Sequence, residues 1–247
     1  MTRASLLLGS VALLGAACAP PTSDAAAQPD VLVFSKTAAF RHASIEAGVA
    51  ALRERASEAG IAIDATEDAS AFTSANLSRY SAVLFLSTTG DVLAPHQQEA
   101  LEGFVRAGGG FVGIHSASDT EYDWAWYGEL VGAYFAGHPP GIYEATLHVA
   151  DADHPATVSL PDPWSRADEW YDLRDVQPGL TVLLEIDETT YKSPAQNPAP
   201  APRPIAWYRA FDGGRTFYTA LGHTSESWSE EPFLDHVWGG LTWAMGR

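Results

Sequence analysis

Three uninterrupted apolar runs constrain this chain more than any other feature: Val31-Leu32-Val33-Phe34, Ala82-Val83-Leu84-Phe85-Leu86 and Phe111-Val112-Gly113-Ile114. A strand with one wet face alternates polar and apolar residues, so runs that are apolar throughout predict parallel strands covered on both faces. Helical spacing fills the gaps between them. Ser44 is predicted as an N-cap, Ile45, Val49, Leu52 and Ala56 recur on one face, and Gly60 closes the segment as a C′ residue. Residues 61–65 read as a further strand. Pro95 opens a helix whose Leu101, Phe104 and Val105 face the sheet, and Gly108-Gly109-Gly110 stops it. Strands alternating with helices at these lengths require right-handed crossovers, and hence an α/β, doubly wound, mostly parallel sheet with helices on both faces.

After residue 115 the pattern changes. Residues 124–135 read as a helix with Gly137 behind it, and then strands dominate, at 142–149, 180–186, 205–211 and 216–221. The last two are joined by Asp212-Gly213-Gly214 as a hairpin turn. These add antiparallel strands to the C-terminal half. Residues 230–245 form a final helix striped by Phe233, Val237 and Leu241. The proline-rich stretch 193–204 is predicted to be an extended surface loop.

Fourteen Lys and Arg against 31 Asp and Glu give a net charge of −17, a field that repels nucleic acid and anionic surfaces. The first residues have the layout of an export signal: Arg3, an apolar stretch from Leu6 to Leu14, and small residues before Cys18. The apolar stretch is too short for a permanent membrane span. Cys18 is the only cysteine, so no disulfide can form within the chain, and its position is that of a lipidation site. Gly15 stands where a lipobox usually has Leu, which leaves secretion with a free cysteine as the alternative. The predicted organisation is a lipoprotein-type signal at 1–18, a flexible tether at 19–29 and one domain at 30–247, exported to the periplasm or cell surface and held to the membrane through the lipid alone. Nothing in the pattern specifies an oligomeric state.

In an open parallel sheet the ligand crevice lies at the carboxyl ends of the strands. His42, His115 and His223 all lie just beyond predicted strands, His138 follows the helix after the fourth strand, and Asp119 and Glu121 lie in the loop between. Neutral imidazoles with a carboxylate suit zinc or another divalent metal, giving His42, His115, His138 and His223 as candidate ligands. The same imidazoles also suit general acid–base chemistry without a metal. Taken singly, each could equally be a hydrogen-bonded structural residue. His96, His148, His154 and His236 are predicted to be structural or on the surface. The triple glycine precedes a strand, and so reads as a turn in preference to a phosphate cradle.

Five segments, Gly113-Ile114-His115-Ser116-Ala117-Ser118-Asp119-Thr120, the stretch from Trp126 to Phe135, Asp168-Glu169-Trp170-Tyr171, Pro204-Ile205-Ala206-Trp207-Tyr208 and Leu221-Gly222-His223-Thr224, together resemble the ThuA-like (trehalose utilisation) family. The resemblance runs from about Val31 to the C-terminus. It implies a flavodoxin-like sheet elaborated as in class I glutamine amidotransferases, with His115 where those enzymes carry the nucleophilic cysteine. Their later triad motif corresponds to His223-Thr224-Ser225-Glu226, which has the histidine but not the adjacent spacing. Imidazole cannot form a thioester from glutamine, so amidotransferase chemistry is not expected.

The resemblance further implies a link to disaccharide catabolism and to sugars carrying a 3-keto group. On that reading His115, His223, Asp119 and Glu169 are candidate catalytic residues, and Arg41, Glu121, Tyr122, Trp124, Trp170, Tyr171 and Trp228 are candidate substrate contacts, several of them as an aromatic rim. In the plainer reading, Asp168 or Glu169 merely caps a turn. The functional expectation is an enzyme performing hydrolysis, elimination or isomerisation on a keto-sugar or disaccharide derivative. The alternatives are a non-catalytic, surface-tethered carbohydrate-binding module and a partner-recruiting domain.

Overall fold

The computed structural model describes Met1, residues 30–191 and residues 203–247. The predicted signal, the tether and Cys18 lie outside the described residues, as does most of the proline-rich stretch. In chain order the elements are β1 (Val31–Phe34), α1 (Ile45–Glu58), β2 (Ile63–Thr66), α2 (Ser74–Leu77), β3 (Ala82–Leu86), α3 (Pro95–Arg106), β4 (Gly110–Ile114), α4 (Ala125–Val131), β5 (Tyr134–Gly137), β6 (Tyr143–Val149), β7 (Trp164–Asp168), β8 (Asp172–Arg174), β9 (Thr181–Asp187), β10 (Arg203–Phe211), β11 (Gly214–Thr219) and α5 (Glu231–Met245).

Nine strands form one sheet in the order β2-β1-β3-β4-β11-β10-β9-β6-β7, and β5 pairs with β8 in a separate ribbon. The pairs β2–β1, β1–β3, β3–β4 and β4–β11 are parallel. From β11 onward, through β10, β9, β6 and β7, every pair is antiparallel. Every residue of β1, β3 and β4 is buried, as continuous apolar runs require, whereas β7 alternates buried and exposed along its length. Helices cover both faces of the sheet, with α1 packed beside α5 and α2 beside α3. The β10–β11 hairpin turns through Asp212 and Gly213, both at positive φ, which matches the twist of the strands it joins.

Three local expectations are corrected, and two strands appear that had none. The helix expected over 124–135 ends at Val131, because Gly132 adopts φ +93° and the chain leaves it to form β5. A Cβ at Gly132 would stand 2.4 Å from the Trp207 indole nitrogen, so the close approach also excludes a side chain there. Ser44 does not cap α1, since its backbone is already helical and its buried hydroxyl has no partner among the described residues. The short strands β7 and β8 had no sequence expectation, and residues 203 and 204, expected in the loop, open β10.

His236, on α5, is fully buried with Nδ1 2.8 Å from the carbonyl oxygen of Ala156, to which it donates. Burial lowers its pKa from 6.5 to about 3. The unfolded chain therefore takes up a proton below pH 6.5 that the folded protein refuses until about pH 3, so stability is full above this window and falls as acid is added. In urea unfolding, the loss between pH 6.5 and pH 5 should be about 2 kcal/mol smaller in His236→Leu than in the parent.

Candidate functional site

The loops after β1, β3 and β4 are laced together before any side chain enters the site. Ala38 N–H donates to Thr89 O at 2.7 Å, Gly90 N–H to Asp119 O at 2.8 Å, and Glu121 N–H to Gly90 O at 3.1 Å. At the end of β4, His115 is held at φ +52°, a left-handed conformation that costs a non-glycine residue energy and that needs a surrounding structure to impose it. Tyr218, on β11, does so in part by donating its hydroxyl to His115 O at 2.9 Å.

The His115 ring is fully buried. Its Nδ1 lies 2.8 Å from Ala220 O, and because a carbonyl only accepts, Nδ1 carries the proton and Nε2 is the bare nitrogen. That Nε2 accepts from the Tyr171 hydroxyl at 2.9 Å and lies 3.2 Å from His223 Nδ1 and 3.5 Å from Glu169 Oε2. His223 Nδ1 is 3.0 Å from the same carboxylate oxygen. His42, from the loop after β1, turns Nδ1 to Ser116 Oγ at 3.2 Å, and its ring centre lies 4.7 Å from that of His115 and 5.1 Å from that of His223.

His42, His115, His223 and Glu169 each offer one ligand atom, and all four atoms lie within 4.8 Å of one another. Tetrahedral zinc with bonds of about 2.0–2.1 Å has ligand-to-ligand edges of about 3.3 Å. The edges of 3.2, 3.5 and 3.0 Å among His115, His223 and Glu169 have that size, so the donor set fits a divalent ion. His138, expected among the ligands, falls outside this set. Glu169 takes its place, and His138 pairs through Nδ1 with the outer oxygen, Oε1, at 3.1 Å.

Protonation follows from the surroundings. Burial first, then the neighbouring His115 and His223, lowers the His42 pKa to about 3, which leaves the neutral imidazole that ligation requires. Burial works against ionisation of Glu169, yet its pairing with the His115 and His223 imidazoles outweighs it and holds the carboxyl well below the usual range. For His223 burial likewise opposes the charged form, and the Glu169 hydrogen bond and charge overcome it and raise the pKa. Asp119, which accepts from the Tyr122 hydroxyl at 2.6 Å, is raised by burial. A cleft of about 320 Å³ opens over these groups, lined by Phe40, His42, Asp119, Phe135, His138, Glu169, Tyr171 and His223.

Several expected contacts lie elsewhere. Arg41 forms ion pairs with Glu46 and Glu67 in a surface groove beside α1. Glu121 is buried with its carboxylate committed to Val92 N–H, Leu93 N–H and Gln98 at 2.7–2.8 Å, where it fastens the entry to α3. Trp170 is buried and donates to Tyr143 O, and Trp228 is buried against Phe233 and Gly48. Trp124 stacks on Trp126, and with Tyr122 it lines a neighbouring hollow instead of the cleft itself.

The residue that sequence reasoning undervalued is Asp168. Its Oδ1 accepts from Glu169 N–H at 2.9 Å and His223 N–H at 3.1 Å, and its Oδ2 accepts from Gly222 N–H at 2.9 Å and from Arg166 at 3.1 Å. Arg166 is buried between the Trp164 and Phe233 rings and also donates to Ser227 Oγ. The available signal was the alternation of Trp164, Arg166 and Asp168, which puts an Arg and an Asp on the inward face of one strand. Phe40 and Phe135 carried no comparable signal.

The sequence model of the ThuA family, described as trehalose utilisation, matches residues 30–244. The chain is a member of the ThuA family. This ThuA chain is similar in structure to a putative ThuA-like protein from Bacteroides uniformis, with TM-score 0.74 and 20% identity over 91% of this chain and 94% of that one. It is similar also to one from Parabacteroides merdae, with TM-score 0.69 and 20% identity over 88% and 90%. A β-galactosidase from Rahnella sp. R3 matches at TM-score 0.55 and 16% identity, over 88% of this chain but 31% of that one. At such identities the likeness is one of fold. No curated protein matches the sequence.

Removing the Asp168 carboxylate would leave Arg166 charged and buried without its main partner. Asp168→Ala should therefore lower the unfolding free energy by about 3–5 kcal/mol in urea titration, and Asp168→Asn by less.

Proposed function

We propose that this ThuA-family protein is an exported enzyme acting on a keto-sugar or keto-disaccharide by proton transfer beside the carbonyl. The family is one of trehalose utilisation, which makes the chain carbohydrate-related. The observation that carries the reading is the convergence of His42, His115, His223 and Glu169 beneath a cleft that also presents Asp119, His138 and Tyr171. A divalent ion held by those four residues would supply Lewis acidity to a carbonyl oxygen.

A ketone acidifies the neighbouring C–H, and the base needed is one whose pKa lies nearer neutrality than that of an ordinary carboxylate. Burial gives Asp119 that property. Asp119 takes the proton from the carbon between the ketone and the glycosidic carbon, and the C–H electron pair moves into an enolate. The Tyr171 hydroxyl, freed from His115 Nε2 when that nitrogen is otherwise engaged, donates to the enolate oxygen. Return of the electron pair expels the glycosidic oxygen, which takes a proton from His138 at the half-exposed mouth. The C–O bond is broken without net oxidation, so the reaction needs no redox partner.

Elemental analysis of protein purified without added metal should find close to one equivalent of a transition metal, and less than ~0.1 equivalent would remove the metal from the reading. On 3-keto-trehalose, His115→Ala should abolish measurable turnover and Asp119→Asn should slow it roughly 10²–10⁴-fold. Wild-type rates in His115→Ala would overturn the site, and tight binding with no turnover in the parent protein would favour a binding module. Export and anchoring form part of the same proposal. Mass spectrometry of the mature N-terminus should find an acylated Cys18, and an unmodified thiol in membrane-free protein would sink the anchor.

A further inference from the structure

Among the aromatic residues lining the cleft, Phe40 is the one that stays exposed. Its side chain belongs to a residue 64% accessible, yet its backbone is fastened: Thr89 Oγ1–H donates to Phe40 O at 2.8 Å, and Ala39 N–H reaches Thr89 Oγ1 at 3.3 Å. A large apolar ring on a loose loop folds back onto the protein surface, because that removes it from water. Here the backbone is held by these bonds and the ring stands out at the cleft mouth, edge-on to His42 with ring centres 4.8 Å apart. Farther in, Phe135 and Tyr171 pack together at 4.4 Å and form an aromatic wall beside the imidazoles.

Aromatic faces interleaved with carboxylates and imidazoles match the surface of a pyranose, which has an apolar C–H face and a rim of hydroxyls. His42, His115, Glu169 and Tyr171 at the floor are buried, whereas Phe40 stands at the opening. We infer that Phe40 is a stacking platform for the second ring of a disaccharide, and so selects two-ring substrates over monosaccharides. The inference rests on the sugar reading above and extends it to a subsite. A substrate filling the cleft places its oxidised ring against Glu169 and its attached ring against Phe40. A monosaccharide reaches the floor and leaves Phe40 in water.

Binding separates the two readings. Titration calorimetry in an Asp119→Asn background, in which turnover is slowed roughly 10²–10⁴-fold, is run with 3-keto-trehalose and with 3-keto-glucose. Adding Phe40→Ala should weaken 3-keto-trehalose about tenfold more than 3-keto-glucose, and Phe40→Trp should restore the difference. Val158→Ala removes an equally exposed apolar side chain that does not line the cleft, and should leave the ratio unchanged. If Phe40→Ala weakens both sugars alike or neither, the platform is overturned while the sugar site stands. If the Asp119→Asn protein binds neither sugar, both readings fall.

Discussion

One buried carboxylate joins the parts of this molecule that would otherwise lie far apart. Strand β7, which ends in Asp168, is four places from β11 in the sheet, with β10, β9 and β6 between them. Steps of about 4.8 Å would separate the two by about 19 Å if the sheet were flat. Asp168 nevertheless accepts hydrogen bonds from Gly222 and His223, just beyond β11, at 2.9 and 3.1 Å. The antiparallel half therefore curls back over the carboxyl ends of the parallel half, as twisted sheets can. The carboxylate fixes where that curl closes. Arg166, buried beside it, supplies the countercharge that makes burying an anion tolerable.

That closure decides which residues meet. Glu169 is the next residue after Asp168, and its own N–H is bound by the Asp168 carboxylate, so the segment holding Glu169 is fixed relative to His223 through shared bonds to one side chain. The parallel half contributes His42 and His115, and the antiparallel half contributes Glu169 and Tyr171. Neither half contains a complete site. A slip of one residue in β7 would turn Asp168 outward and dismantle both the clamp and the ligand set, because strand side chains alternate faces.

The parallel half was legible in the sequence because Val31–Phe34 and Ala82–Leu86 are apolar on every residue, and only a doubly covered strand requires that. The same logic located His42, His115 and His223, since residues just beyond such strands converge on the crevice. Glu169 and Tyr171 entered through family resemblance. Trp170 and Trp228 were misread as a rim because their size and aromaticity suit a sugar face and a core equally well, and only the tertiary fold decides between them. Arg41 lies one residue from His42, and nothing in one dimension shows that neighbouring side chains diverge towards different grooves. Strand β7 alternates, but with an Arg and an Asp on its inward face it does not read as an apolar strand, β8 is too short for periodicity, and the helix end at Gly132 depends on the nearby Trp207.

His115 stands at positive φ on the turn that leaves β4, the position at which the resemblance read from the sequence implied a nucleophilic cysteine. A thiolate there would present a reactive lone pair to an acyl carbon, but the described ring directs Nδ1 to Ala220 O and keeps Nε2 among Tyr171, His223 and Glu169. The strained backbone of His115 therefore serves to aim an acceptor nitrogen inward. Cys18, the sole cysteine, precedes the matched family region altogether. An imidazole at this turn can coordinate, orient or exchange protons, but it cannot form an acyl-enzyme through sulfur. The positive φ of His115 is best understood as the geometric requirement of a convergent imidazole set, since it brings that ring within 5.1 Å of the His223 ring and 4.7 Å of the His42 ring.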